Sequence, residues 1–491
     1  MALNKQKTGQ KTIHLAIGLA IMFLGGLIAP TWGPVTRLGV QAIAIFTGMI
    51  YLSLTGFTFV FTAVAAMFAM QLTGFFTSSE IIAKSWGGST IYQLIVVYAL
   101  CQGIVECGAG SVLARYLISR KWAQGKPLVF TFMLLMASIF AGAFLGLGGV
   151  VFYYSILEEI RKQLDYAPDC DWMKFNVFGV YIAACVGMTL IPYKGIPLIV
   201  FGSLNAMLAQ YGYEISYVSY MLGIAIFGIL SSAVYCLMMR YVFRVDMDRL
   251  RSFDIRNLEG MRDIRLDKRQ TIACIVFALA IAYGVVIVFL PKGAAITSVI
   301  KGISQTTWFA LCLAALCVLQ VDGQPVFNPR SVLKNGVNWE ILFSIGGFSL
   351  IGIILSAPDA GIQEWLQSSL GGVLNGMGFP GFMLVIILFT LVLTNVMSNT
   401  AIGMIASAIA VPFVAGYAAN QGINITMFVA GMMMADMYAF ATPAASGSAP
   451  ILHGHDSIKA DKRFIYTKGL AVCLVHIVLA WLLFTAAAYI L

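Results

Sequence analysis

Apolar residues in this chain run in unbroken stretches of about 20, not in the short alternation of elements with one wet face. A bilayer core of about 30 Å takes roughly 20 apolar residues to cross as a helix. Eleven stretches therefore predict spanning helices, near 12–30, 38–56, 57–76, 91–114, 175–200, 214–239, 270–291, 304–321, 338–356, 427–445 and 466–490. Two further stretches, 127–160 and 381–416, do not fit one span each. The first has Lys121 and Lys126 before it and Arg161 and Lys162 after it. As one helix it would be about 50 Å long and would put its two basic ends on opposite sides of the membrane. A re-entrant hairpin turning within Gly142 to Gly149 (GAFLGLGG) keeps both ends in the cytoplasm. The second stretch has no positive charge at either end and a polar break at Ser398-Asn399-Thr400, which predicts a hairpin entering from outside.

The surroundings of the two hairpins match. A span ending in a glycine-bearing turn precedes each, at Glu106-Cys107-Gly108 and at Pro358-Asp359-Ala360-Gly361. A span with a proline break follows each, at Thr189-Leu190-Ile191-Pro192 and at Ala441-Thr442-Pro443. The halves start on opposite membrane sides, so the pattern is an inverted repeat with broken helices, the build of secondary transporters. Non-helical backbone at membrane depth needs protein or a water-filled cavity to satisfy it, so two opposed hairpins predict a polar centre. The fold class expected is an all-α polytopic membrane protein with about eleven transmembrane helices and two re-entrant hairpins.

Composition and charge narrow the picture. The 491 residues are 60% hydrophobic and 10% charged, against about 25% charged in soluble domains. The net charge of +9 suggests nucleic acid until its placement is traced. With the N-terminus inside, 25 of the 30 lysines and arginines fall on cytoplasmic segments, which is the positive-inside signal. Orientation explains the charge, and no nucleic-acid partner is expected. The C-terminus then lies outside. The first run follows Lys5, Lys7 and Lys11 but lacks a small-x-small cleavage pattern, so it reads as a retained helix. The basic stretch from Arg240 to Arg269 reads as a solvated helix facing lipid headgroups. The nine cysteines have no metal-ligand spacing and read as small buried hydrophobes. The sequence contains no HExxH, no paired aspartates on facing spans and no GxSxG with a placed histidine, so no enzyme is read from it.

The candidate chemistry sits at the second hairpin and the break after it. Hydroxyl and amide oxygens at Ser398, Asn399 and Thr400 suit a hard cation such as Na⁺, and helix N-terminal N–H groups attract carboxylates. The first half offers Leu145-Gly146-Leu147-Gly148-Gly149 in the equivalent place, with no side-chain oxygen; Gly148 and Thr189 are its substrate-side candidates. Near its break stands Lys194, inside IPYKGIPLIVF. A cation at membrane depth costs at least about 2.5 kcal/mol and calls for a partner. Lys194 can pair with a substrate carboxylate or, by the family resemblance that these motifs carry, stand where a second sodium would be. Asp436, five residues before Ala441, either titrates during transport or pairs with Lys194.

These motifs, together with Asn338-Trp339 and Gly346-Gly347, resemble the divalent anion/sodium symporter family (solute carrier family 13-like) within the wider ion-transporter superfamily. The resemblance covers nearly the whole chain and is most specific in the second half. It implies a homodimer whose subunits carry a scaffold and a transport domain that moves as an elevator. By that resemblance Thr394, Met397, Asn399 and Ala441 supply oxygens to one Na⁺, with no organic cofactor. Ser398, Asn399, Thr400, Thr442 and Pro443 border a substrate carboxylate. The chain then divides into scaffold helices and a first arm (1–114) and a transport half with the first hairpin (115–213). Scaffold helices, basic loop and second arm (214–380), a transport half with the second hairpin (381–465) and a last helix (466–491) follow. The function expected is cation-coupled transport of small organic anions, above all dicarboxylates, across a bacterial inner membrane, with membrane lipid as the surrounding partner. A sodium-independent exchanger, a proton-coupled carrier, a carrier of an inorganic oxyanion such as sulfate, and an anion channel are the alternatives.

Overall fold

A computed structural model describes residues 2–87, 89–119, 125–191, 195–253, 265–289, 303–337, 339–396, 399–443, 445–446 and 448–490. Helices dominate because long apolar runs in lipid leave the backbone no partner but itself. In chain order they are α1 (Ala2–Ala20), continued by a π-turn to residue 28, α2 (Arg37–Leu54), α3 (Phe59–Leu72), α4 (Ser78–Ser85), α5 (Ser89–Glu106) and α6 (Ala109–Ile118). The middle holds α7 (Pro127–Leu145), α8 (Leu147–Gln163), α9 (Asp171–Leu190), α10 (Gly195–Ala209), α11 (Tyr217–Leu237), α12 (Lys268–Phe289) and α13 (Gln305–Val318). The second half adds α14 (Pro329–Gly336), α15 (Trp339–Ser356), α16 (Ile362–Leu374), α17 (Gly378–Thr394), α18 (Asn399–Gln421) and α19 (Ile425–Met437). It ends with α20 (Ala449–Gly454), α21 (Asp456–Ala460) and α22 (Leu470–Ile490). Hydroxyl side chains cap the entries: Thr36, Thr58, Ser216 and Ser304 each accept a backbone N–H three residues on.

The repeat is visible in the element order. In each half a span ends at a left-handed glycine, Gly108 (φ +75°) or Gly361 (φ +67°), where an L side chain would be strained. Another helix follows, α6 or α16, then a helix pair, α7–α8 or α17–α18, then a helix that ends in irregular chain, α9 or α19. The helix pairs are where hairpins were expected, and α7 packs against α8 as α17 packs against α18. The first pair reverses at Gly146 (φ +56°, ψ −130°), inside the predicted GAFLGLGG window. Small residues let it close. A Cβ on Gly149 would stand 2.9 Å from that of Ala141, and Gly142 and Gly187 have no room beside the backbones of Ala184 and Ile139.

Burial separates centre from rim. The α9 span is 89% buried and that of α18 78%, whereas Lys11–Ile28 is 17% buried and Ile465–Ile490 33%. The hairpin and broken-helix elements therefore form the core, and the terminal helices carry the apolar faces that lipid covers. An ion-pair cluster closes one end of this core: Lys174 on α9 meets Asp171 at 3.0 Å and Asp461 at 2.9 Å, and Lys468 meets Asp171 at 2.7 Å.

Three expectations need correction. The span drawn over 91–114 stops at Glu106, because Gly108 turns the chain and α6 starts afresh. The stretch from Arg240 is not a continuous helix in its described part. After a π-turn ending at Val242 it is irregular, with one 3₁₀ turn at Asp248–Ser252, and residues 254–264 lie outside the described ones. A small antiparallel hairpin pairs Gln320–Val321 with Gln324–Pro325 around Asp322 (φ +51°) and Gly323 (φ +74°), a turn that aspartate and glycine favour and that the span assignment passed over.

Candidate functional site

The second helix pair and the break after α19 meet at the Asp436 carbonyl. The Thr394 hydroxyl donates to that oxygen at 2.9 Å, and the Asn399 amide Nδ2 donates to it at 2.8 Å. Thr394 ends α17 and Asn399 begins α18, so both sides of the hairpin tip hold one carbonyl of α19. All three residues are buried, with Thr394 and Asp436 at 0% exposure and Asn399 at 2%.

Asn395 holds the broken chain itself. Its Nδ2 donates to the carbonyls of Leu391 (2.8 Å) and Tyr438 (3.0 Å). Its Oδ1 accepts the N–H groups of Phe440 (3.0 Å) and Ala441 (2.8 Å). One side-chain amide therefore replaces the helical partners that residues 438–441 lack, which unwound backbone in a membrane core requires. Other side chains take the remaining carbonyls. Tyr181 of α9 donates to Ala439 O at 3.1 Å and shares a hydrogen bond with Ser448 Oγ at 2.9 Å. Ser446 also donates to Ala439 O, and His453 Nε2 donates to Phe440 O at 2.9 Å. Tyr438 OH shares a hydrogen bond with the buried His476 Nδ1 at 3.1 Å.

Several anticipated residues fall into this arrangement. Thr394, Asn399 and Ala441 are joined through the Asp436 carbonyl and Asn395. Thr400 is half-buried in the first turn of α18, and Thr442 and Pro443 are exposed at the break. Met397, Ser398 and Lys194 lie outside the described residues. Gly148 is exposed with open space where a side chain would be. Thr189 is buried and gives its hydroxyl to Cys185 O of its own helix at 2.8 Å. Asn395 went unnoticed in the sequence. Its signal was an amide beside Thr394 at the end of an apolar run, where any polar group must find a buried partner.

The donor set suits a sodium ion in one specific respect. Asn399 Oδ1 is buried and has no hydrogen-bond partner among the described residues, an acceptor left open beside the Thr394 hydroxyl oxygen. Among the described residues no cluster of three or more histidine, cysteine, aspartate or glutamate side chains could hold a transition metal.

Comparison with known proteins gives two findings. The CitMHS family, described as "Citrate transporter", matches residues 15–435. Among solved structures the chain is similar to the YdaH transporter of Alcanivorax borkumensis, whose topology is described as unusual. It has a TM-score of 0.53 and 13% identity, covering 86% of this chain and 88% of that one. The identity is low enough that this likeness speaks for the fold alone. No curated protein sequence matches.

Proposed function

The chain belongs to the CitMHS citrate transporter family, and from that premise we propose that it is a cation-coupled symporter of citrate or a closely related carboxylate. It is an integral membrane protein and a secondary transporter of citrate-type anions, not an enzyme. What the proposal adds is the coupling ion and the residues.

In this reading the first turn of α18 receives the substrate. N–H groups at the start of a helix carry partial positive charge and favour a carboxylate. Thr400 adds a hydroxyl there, Thr442 and Pro443 border the anion at the exposed edge of the break, and the family resemblance assigns Ser398 to the same anion. Thr394, Met397, Asn399 and Ala441 hold one Na⁺, which supplies positive potential beside the substrate when it is bound. Lys194 supplies a fixed positive charge from the first half, in place of a second sodium. Asn395 keeps the strand from Tyr438 to Ala441 in its unwound path, so the edge is formed before the ligands arrive. Following the same resemblance, the protein works as a homodimer with an elevator motion in a bacterial inner membrane, N-terminus inside.

The observation that supports this most is the divided use of Asn399: one amide hydrogen goes to Asp436 O, and its buried oxygen has no partner among the described residues. The test is citrate uptake into proteoliposomes under a sodium gradient, a potassium gradient or a pH gradient, with sulfate as a competing anion. Uptake that follows sodium and fails in Asn399→Ala is the expected result. Equal uptake in potassium would move the reading to an exchanger, and uptake driven by pH alone to a proton carrier. Sulfate carried in preference to citrate would point to an oxyanion transporter, and uncoupled flux to a channel.

A further inference from the structure

A polar cavity lies at the end of the core away from the Lys174 cluster, and a chain of contacts fixes that end. Helix α22 begins beside Lys468, which meets Asp171 at 2.7 Å, and runs for about 30 Å. Near its far end the Ala488 carbonyl accepts the N–H of Asn424 at 2.8 Å. The Thr426 hydroxyl accepts the N–H of Ser216 at 3.1 Å, and Asn205 Oδ1 accepts that of Ile215 at 2.9 Å. The turn from α10 to α11 therefore stands a full span away from the Lys174 cluster.

The cavity beside that turn measures about 380 Å³. Helix α4 lends it Lys84, α10 lends Asn205, Ala206 and Gln210, the turn lends Glu214, and α15 lends Ser349. Isoleucine and alanine make most of the remaining wall. Helix α10 is shared with the second hairpin, because it packs against both α15 and α18. Val200, about 7 Å further along α10 toward the break, lies so near Gly403 of α18 that a Cβ there would stand 2.5 Å from it.

Charge distinguishes this cavity from a packing gap. Lys84 and Glu214 are both exposed, and neither makes an ion pair among the described residues. Glu80, the acid one turn before Lys84, is engaged by the start of α4: it accepts the Thr77 N–H at 2.9 Å and the Thr77 hydroxyl at 2.8 Å. The Lys84 ammonium rests over the Phe76 ring, 5.2 Å from its centre. Membrane orientation does not explain this lysine, since the positive-inside bias gathers cations at the opposite end. In a cleft with low-dielectric walls a fixed charge reaches further than it does on an open surface.

We propose that this cavity is the outer entrance through which a small polycarboxylate approaches the second hairpin, drawn in by Lys84 and opposed by Glu214. The proposal rests on the citrate-type transport reading above and adds the approach to it. Lys84 concentrates the anion at the mouth, and Glu214 weakens its hold so that it moves on. Both charges act before the transport step. They therefore set the citrate concentration for half-maximal uptake and leave the maximal rate alone.

Ala206→Cys puts a thiol on the cavity wall and lets the field be read without transport. In right-side-out membrane vesicles, labelling by a membrane-impermeant anionic thiosulfonate is compared with labelling by a cationic one. The protein without Ala206→Cys gives the background from its nine native cysteines. Adding Lys84→Gln is expected to lower the anionic-to-cationic rate ratio about fivefold or more, and Glu214→Gln to raise it about threefold. In uptake, Lys84→Gln should raise half-saturating citrate about fivefold, Glu214→Gln should lower it, and Lys84→Arg should stay near wild type. These differences should shrink as salt is added. A labelling ratio that neither substitution moves overturns the proposal. So does labelling from the cytoplasmic side alone, or a Lys84→Gln variant that loses maximal rate at unchanged half-saturation. Ratios that shift as expected in a protein that never takes up citrate would overturn the substrate reading and leave the anion entrance standing.

Discussion

At the tip of the first helix pair the chain reverses through Gly146, and Gly148 beyond it faces open space. At the tip of the second, the chain passes from Thr394 to Asn399, and its three described polar side chains all bond to α19 or to the chain after it. The backbone path is repeated, but the chemistry is not. The first tip is fixed by packing of small residues, Gly149 on Ala141 and Gly142 on Ala184. The second is fixed by side-chain hydrogen bonds to unwound backbone. A duplicated architecture therefore does not require duplicated chemistry: one tip is built on side-chain hydrogen bonds and the other on shape.

Substitutions can break or sharpen that contrast. Asn399→Ala is expected to have the largest effect, lowering citrate uptake about 100-fold or more at normal expression, since it removes both the Asp436 bond and the open oxygen. Near-normal uptake by that variant would remove the asymmetry altogether. Lys194→Ala, on the other side of the comparison, should raise the citrate concentration for half-maximal uptake about 30-fold. Lys194→Arg should recover little of this, because a planar fork does not replace a compact ammonium. A lysine variant that transports normally would leave the first half with shape alone.

Asn395→Ala orphans the N–H groups of Phe440 and Ala441 and should cost about 2–4 kcal/mol of stability, read as a lower unfolding midpoint in detergent. Gly146→Ala forces an L residue into φ +56°, ψ −130° and should cost about 1–3 kcal/mol, with sodium dependence intact in the protein that remains. Loss of sodium dependence there would place an ion site in the first tip after all.

The smallest effect belongs to Asp461→Asn. The Lys174 ammonium holds the Asp461 carboxyl below its ordinary value of 3.8. A depressed carboxylate stabilises the fold above that value, and the contribution disappears as pH falls through the folded pKa. Asp461 stays open to water, so the pair is worth under about 1 kcal/mol. The difference in melting temperature between wild type and Asp461→Asn should therefore be small, flat from neutrality down to about pH 4, and vanish only in stronger acid.

How far the sequence could be read follows the same division. Charge at the ends of 127–160 forced a reversal, and glycine marked it, because both signals are local and depend on membrane side more than on partners. Gly108 and Gly361 announced their turns for the same reason. The site was harder to read. Thr394, Asn399 and Ala441 could be selected by motif, but Asn395 acts on Tyr438, Phe440 and Ala441 across more than 40 residues, and periodicity does not encode such a pairing. Asp436 was visible as a buried acid. That it lies fully buried beside Gly403 is a matter of packing, which periodicity does not carry. The segment after Arg240 misled because its charge pattern fits a surface helix, while the chain there follows an irregular course.

The Tyr181 hydroxyl bears on how such a protein is made. Tyr181 is synthesised more than 250 residues before the carbonyl of Ala439 that it satisfies. A nascent segment with bare carbonyls is poorly received by a bilayer, yet residues 438–448 must enter one. The earlier half holds the hydroxyl that satisfies one carbonyl of that segment in the folded protein. Closing so long a tether adds little entropy beyond that of a shorter one, because the cost grows only with the logarithm of length. The unwound segment of the younger half is thus complete only with a hydroxyl that the older half brings.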